Sequence, residues 1–299
     1  MKILWIKVDK ELEEKFPGLR AYVLEIRGID VNRNDPKTVN DFNTLLKEVT
    51  EYVKSRYTLE GIKNEQIFRA YRDFFWKIGI DPTKTRPASE ALIRRILLEK
   101  PIPRINTLVD AYNLASIVSG VPIAAFDKNK ISGELFMRKA FEGEKFLGIG
   151  MEKPIILNGT EIVVSDDEKL VAVYPYRDAE VTKISEQTRN VVFLICGVPG
   201  VGDDILANAL NKLTLSTAEA GRFLHTVPST LWSTCVSAFT PSPLRDYLQW
   251  VCHHPVNAAS TEAAYILLPP CKDSIPMLEL PPPNSVQSLI RAFGHPDHI

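Results

Sequence analysis

The amino-acid composition of this 299-residue chain changes abruptly near residue 211. The first 210 residues contain 31 basic and 31 acidic side chains, whereas the last 89 contain only five and six. All five histidines, three of the four cysteines and 11 of the 21 prolines follow the break. A single fold rarely divides residue types so sharply. We therefore predict a folded domain over residues 1–210 and a tail over residues 211–299 that packs poorly on it.

The tail, rich in Ser, Pro, His and Cys, has two competing interpretations. It is either a genuine appended module or a segment without an evolved fold, such as an out-of-frame reading would produce. Its potential metal ligands have irregular spacing and include no Cys-x-x-Cys pair, so we expect no metal site there. These residues are Cys235, Cys252, His253, His254 and Cys271.

Several classes of protein are excluded by the sequence. No apolar run approaches the roughly 18–20 residues that a membrane span needs. The first nine residues lack the sustained apolar core and small-residue cleavage site of a signal peptide. Four cysteines are too few for a disulfide scaffold. We expect a protein of the reducing cytoplasm, without membrane contact and without a cofactor, and the sequence leaves its oligomeric state open.

Hydrophobic periodicity predicts helices first and strands later. Apolar residues recur at helical spacing in four segments, 37–56, 64–77, 88–99 and 107–119. Short β-branched runs then predict strands, in addition to one near the N-terminus; the segments are 19–26, 121–126, 135–138, 161–164, 170–174 and 190–195. Strict β-α-β alternation is missing, so the expected class is α+β, with a helical N-terminal half and a mixed or antiparallel sheet.

Two polar clusters are candidates for a binding site. Asn106, Asp110 and Asn113 lie on one face of the last predicted helix, where they either line a cleft or serve as cap and local hydrogen-bond partners. Residues 177–180 (Arg-Asp-Ala-Glu) follow a strand and form either a pocket wall or a surface ion pair. Residues 1–210 contain no histidine, so chemistry there must use carboxylates, hydroxyls, backbone groups or the substrate itself.

The segment from Lys84 to Arg104 carries six cations against two anions. This local excess indicates either a phosphate-binding surface or an ordinary solvated face. We select five of its side chains as candidate RNA contacts: Lys84, Arg86, Arg94, Arg95 and Arg104.

Several motifs carry a resemblance to a known family. They begin with residues 79–95, which open with Gly-Ile-Asp-Pro-Thr-Lys-Thr-Arg-Pro, and residues 103–116, which open with Pro-Arg-Ile-Asn-Thr-Leu-Val-Asp-Ala-Tyr-Asn. Ala125-Phe126-Asp127, residues 143–146 and Thr188-Arg189-Asn190 add to them. Over residues 1–210 the chain resembles freestanding relatives of the B-three/B-four editing module of the phenylalanyl-tRNA synthetase beta subunit. The resemblance implies an α+β fold, a tRNA or aminoacyl-tRNA partner, and hydrolysis of mischarged aminoacyl-tRNA in trans.

Two departures from that module alter the expected pocket. The synthetase module often reads Gln-Pro-x-His before Ala-Phe-Asp, whereas this chain has Ala124 at the histidine position. Arg177-Asp178 replaces a glycine-rich stretch, so tyrosine specificity does not carry over. We assign Asn113, Asp178 and Glu180 as candidate catalytic residues, and Asn106, Asp110 and Arg177 as substrate-binding ones. The alternative is a non-catalytic module that binds tRNA or a small ligand.

Overall fold

The computed structural model describes residues 2–31 and 36–221. Its α-helices are α1 (Lys10–Lys15), α2 (Pro36–Arg56), α3 (Gln66–Lys77), α4 (Ala88–Leu97), α5 (Thr107–Ser119) and α6 (Asp203–Gly221). Its strands are β1 (Lys2–Trp5), β2 (Lys7–Val8), β3 (Arg20–Arg27), β4 (Ile123–Asp127), β5 (Phe136–Lys139), β6 (Lys145–Phe146), β7 (Ile155–Ile156), β8 (Ile162–Ser165), β9 (Leu170–Val173), β10 (Arg177–Asp178) and β11 (Asn190–Gly197). The α+β class expected from the sequence is confirmed.

The first sheet is antiparallel and has the strand order β1-β3-β11-β4. Strand β11 pairs with β3 on one side and with β4 on the other, and almost all of its side chains are buried. That position explains its uninterrupted apolar sequence, because a strand covered on both faces has no solvent side to make polar. Helices α5 and α6 contribute side chains to the same core.

The second sheet has the order β10-β9-β8-β5-β2 and shares that core through Met137, Val164 and Val171. Its hairpin between β8 and β9 turns at residues 166–169. The Asp166 carboxylate accepts hydrogen bonds from the backbone N–H groups of Glu168 and Lys169, each at 2.8 Å. An aspartate that satisfies the turn backbone in this way fixes the register of the hairpin.

A second core joins α2, α4 and α5 through Val53, Ile93 and Ile117. Beside it, the carboxylate of Glu90 is fully buried and accepts hydrogen bonds from Arg72 of α3 and Arg94 of α4. A buried carboxylate needs such partners, because an unpaired charge in the interior is costly. The Glu90 carboxylate therefore ties α3 to α4.

Helix α6 crosses the composition break and continues to Gly221. Leu206, Ala209 and Leu213 are buried along it, on both sides of residue 210. The division of the chain at residue 210 stays a prediction, and the remainder of the tail, with its histidines and cysteines, lies outside the described residues. Among the described helices, none combines the length and apolar character needed to cross a bilayer.

Candidate functional site

A small cleft of about 90 Å³ opens between the two sheets. One wall is the β9–β10 turn, residues 172–178, and the other includes Pro122, Ile123 and Ala124 at the start of β4. Strand β11 supplies Leu194 and Cys196, and Ala88 comes from the first turn of α4. The cleft therefore lies where segments distant in sequence converge, which is typical of binding sites.

Asp178 is the acidic side chain that lines this cleft. Burial raises the pKa of its carboxyl group to about 7, and the neighbouring Arg177 guanidinium limits the rise. No donor in residues 2–31 and 36–221 hydrogen-bonds to this carboxylate, although Asp178 is only partly exposed. A perturbed and unbonded carboxyl group in a cleft is a candidate for proton transfer or for ligand binding.

Arg177 also lines the cleft, and its guanidinium is fixed in position. Its Nη1 donates a hydrogen bond of 3.1 Å to the carbonyl oxygen of Ile149. The guanidinium carbon lies 5.2 Å from the ring centroid of Tyr176, within the range of a cation–π interaction. A cation therefore lies beside Asp178 at the cleft.

The structure separates Glu180 from this pair. Glu180 begins a short 3₁₀ helix after β10 and forms an ion pair with Lys183. Its backbone N–H donates to the carbonyl oxygen of Leu147 at 2.9 Å. Glu180 is not among the residues that line the cleft.

In the second polar cluster, Asn106 and Asp110 have local structural partners. Asn106 is the N-cap of α5, and its side chain accepts a hydrogen bond from the Val109 N–H at 2.9 Å. The buried Asp110 accepts from Arg104 Nε at 2.5 Å and from the Ile105 N–H at 3.0 Å. Asn113 is partly exposed on the same helix.

Tyr112 connects the two clusters electrostatically and was not predicted as a site residue. Burial raises the pKa of its phenol, and the carboxylates of Asp178 and Asp110 raise it further. The Tyr112 ring packs edge-on against Phe193 of β11, with centroids 6.1 Å apart. Its position between Asp110 and Asn113 in the motif is the one sequence signal that could have selected it.

The five candidate RNA cations have different environments. Lys84 and Arg86 are exposed, and the Lys84 ammonium lies 4.0 Å from Asp81. Arg94 is not a free surface cation, because it binds the buried Glu90 and the Leu59 carbonyl oxygen. Arg95 donates twice to the carbonyl oxygen of Pro101.

Arg104, the fifth candidate, lies beside α2 as well as α5. Its guanidinium lies over the Phe42 ring at 3.9 Å in addition to binding Asp110. The two loop cations before α4, Lys84 and Arg86, are therefore the least engaged of the five.

Two motif residues meet away from the cleft. Thr188 Oγ1 donates a hydrogen bond of 2.8 Å to Asp127 Oδ2, and both side chains are buried. This bond joins the end of β4 to the segment that enters β11. Asp127 Oδ1 also accepts from the Asn129 N–H at 3.0 Å. Asp127 and Thr188 therefore have a structural role, because they connect these two segments.

A model of the B3/4 domain family matches residues 70–241, which is more than half of the chain. The chain belongs to the B3/4 domain family. Similar proteins include the phenylalanine–tRNA ligase beta subunit of Malacoplasma penetrans, 27% identical over 228 residues that cover 74% of this chain and 28% of that protein. The same subunit of Ureaplasma parvum is 25% identical over 65% of this chain and 25% of that protein. This B3/4 chain thus spans about a quarter of the length of these relatives.

Among solved structures, an N-terminal fragment of the phenylalanyl-tRNA synthetase beta subunit from Pyrococcus horikoshii is similar to this B3/4 chain. The identity is 14% and the TM-score 0.35, over 66% of this chain and 74% of that one. The segment that departs from the synthetase motif lies at the cleft, because Pro122, Ile123 and Ala124 all line it. Ala124 is thus one of the residues that line the cleft.

Proposed function

We propose that this B3/4 protein binds aminoacyl-tRNA and hydrolyses mischarged aminoacyl esters in trans. The observation that carries the proposal is the Asp178 carboxylate. It lines the cleft, accepts no hydrogen bond from any residue that the structure describes, and has a pKa of about 7. A general base works best when its pKa lies near the working pH. The relatives support the substrate class, because they are named as subunits of a tRNA ligase.

In the proposed reaction, a water molecule attacks the carbonyl carbon of the aminoacyl ester and transfers a proton to the Asp178 carboxylate. The bond between the carbonyl carbon and the ribose oxygen then breaks, and the proton passes from Asp178 to that oxygen. The products are the free amino acid and tRNA with its terminal ribose hydroxyl restored. Because an aminoacyl ester is intrinsically labile, positioning and proton transfer suffice to accelerate its hydrolysis.

Arg177 has the complementary role in this proposal. Negative charge develops on the ester carbonyl oxygen during attack, and a fixed cation near that charge lowers the barrier. The bond to the Ile149 carbonyl oxygen limits the movement of the Arg177 guanidinium. Arg177 is therefore available without a large reorganisation of the site.

The remaining candidates act around this pair. Asn113 is proposed as a polar contact from α5, and Glu180 as a second carboxylate behind the β10 wall. Asn106 and Asp110 affect substrate binding by fixing the start of α5, because their side chains bond to its first turn and to Arg104. Lys84 and Arg86 are proposed to contact tRNA phosphates, with Arg95 and Arg104 beside them, whereas Arg94 primarily holds Glu90.

Incubation of the full chain with a panel of mischarged tRNAs tests the proposal. We expect release of the amino acid from at least one of them and loss of that activity in Asp178→Asn. Asp73→Asn on α3 is the matched control, since it removes one acidic charge from an exposed position that does not line the cleft. Hydrolysis that survives unchanged in Asp178→Asn contradicts the proposed role of this carboxylate.

The small volume of the cleft favours a second candidate, a non-catalytic module that binds tRNA or a small ligand. Drug-sized ligand pockets usually enclose about 300–1,000 Å³. Binding of tRNA with an unchanged spontaneous deacylation rate would support this candidate and exclude the hydrolase.

A further inference from the structure

We infer that the aminoacyl group hydrolysed at this cleft has a small apolar side chain, with alanyl as the best fit; the inference rests on the proposed function. The cleft measures about 90 Å³. An apolar cavity of about 150 Å³ binds benzene, and this cleft is smaller. An aromatic side chain, with seven or eight heavy atoms, exceeds that space.

Two alanines of the cleft wall lie on paired strands, so the wall cannot widen at these positions by rotation of side chains. Ala172 of β9 pairs with Asp178 of β10, and Ala124 of β4 pairs with Leu194 of β11. Alanine side chains have no rotamers that could swing aside. The cleft therefore keeps its width at these two positions when a ligand enters.

The inner aromatic side chain of the cleft, Tyr174, is fixed as well. Tyr174 is fully buried, and its hydroxyl donates a hydrogen bond of 2.5 Å to the carbonyl oxygen of Gly197. Tyr71 holds the neighbouring Cys196 carbonyl oxygen at 2.5 Å in the same manner. Displacing either ring would break a buried hydrogen bond, which is unfavourable.

The chemistry of the lining selects an apolar group. Arg177 and Asp178 are the charged side chains of the lining. The other lining residues are mainly aliphatic. The Tyr174 hydroxyl is already bonded, and the Cys196 thiol lies 3.6 Å from the Leu194 carbonyl oxygen. The proposed reaction assigns the Asp178 carboxylate to the attacking water, so a seryl hydroxyl bonded to it would displace that water. A seryl hydroxyl turned toward the other walls would be buried without a partner.

One tRNA transcript, charged separately with alanine, serine, phenylalanine or tyrosine by an acylating ribozyme, isolates the side chain. With the full chain we expect kcat/KM for the alanyl ester to exceed that for the tyrosyl ester by at least about tenfold. Ala124→Leu should fill the cleft and lower the alanyl rate at least about tenfold, whereas Ala207→Leu on α6 should not change it. Ala88→Leu, at an exposed position of the cleft rim, gives the same test if Ala124→Leu fails to fold.

The outcomes separate this inference from the function on which it rests. Hydrolysis of the tyrosyl or phenylalanyl ester as fast as the alanyl ester would overturn the inference and leave the hydrolase function intact. An alanyl preference that is unchanged in both cleft variants would also overturn it, because selection would then occur elsewhere. Failure to hydrolyse any of the four esters would overturn the proposed function itself.

Discussion

Arg177 crosses Gly148 so closely that a β-carbon at residue 148 would overlap the Cδ and Cγ atoms of the arginine. Gly148 lies opposite Ala179 in an isolated antiparallel bridge, so the two backbones have little freedom to separate. A glycine at this position therefore lets the Arg177 side chain run along the backbone to the cleft.

Gly148→Ala is accordingly expected to displace Arg177 and break its hydrogen bond to Ile149. If Arg177 stabilises the transition state, kcat/KM for deacylation should fall by roughly 10- to 100-fold, as small misplacements of catalytic groups do. Gly202→Ala is the matched control, because its β-carbon meets only the flexible end of Asp204. Equal activity of the two variants would show that Arg177 takes no part in the reaction.

The pH dependence of deacylation tests the role of Asp178. A base must be ionised, so kcat/KM should rise as the pH passes through about 7 and level off above it. Asp178→Asn should lose about 10²–10⁴-fold in rate and should also lose this rise. Rates measured between pH 5.5 and 8.5 decide the question, and a rate that decreases with pH would assign Asp178 as an acid instead.

The same pKa makes a prediction about stability. The unfolded carboxyl group has a pKa of about 3.9, so between pH ~4 and ~7 only the folded state retains the proton of Asp178. The free energy of unfolding therefore falls as the pH rises through this window. Asp178→Asn cannot ionise, so its urea midpoint relative to the wild type should be higher at pH 8 than at pH 5.

The helices and strands were largely predictable, because their periodicity reflects burial. The helix expected over residues 107–119 has those bounds, and the strand expected over 190–195 extends two residues further as β11. Periodicity did not show that Arg94, one of the candidate RNA contacts, binds a buried carboxylate. A periodic pattern assigns all charged residues to the exposed face of a helix. Glu90 on the same helix is fully buried, however, and Arg94 donates a hydrogen bond to it.

The site was only half predictable. Arg177 and Asp178 were identified because charged residues cluster after a strand, and the structure places both at the cleft. Ala124 and Cys196 carry no polar signal, and strand pairing brings them together from distant segments. A single sequence gives no indication of that pairing, so the small volume of the cleft could not be predicted.

Binding of tRNA should depend on the loop before α4. Lys84→Glu with Arg86→Glu should weaken tRNA affinity and reduce the slope of log K against log salt by about 1 for each lost phosphate contact. Lys2→Glu with Lys10→Glu changes the net charge equally at exposed positions outside this loop. Similar losses in both double variants would indicate a general charge effect. Arg94 is omitted because its substitution would leave Glu90 buried with one partner fewer.

Truncation tests where the folded unit ends. A chain of residues 1–210 lacks the fully buried Leu213 of α6, whereas residues 1–221 retain the whole helix. Removing one buried leucine costs about 2–5 kcal/mol, so the shorter chain should unfold at a clearly lower urea concentration. Equal urea midpoints for the two chains would favour the boundary at residue 210 that the composition indicates.

The bond between Thr188 and Asp127 has a practical consequence for mutational surveys. Both residues belong to the stretches by which the family resemblance is detected, and Asp127 is a buried carboxylate. A screen that scores only loss of deacylation would give Asp127→Ala and Asp178→Asn similar scores. Both residues would then be counted as catalytic carboxylates. Measuring folded protein yield in parallel would separate them, because only the variant at Asp127 should lose activity in proportion to the amount of folded protein.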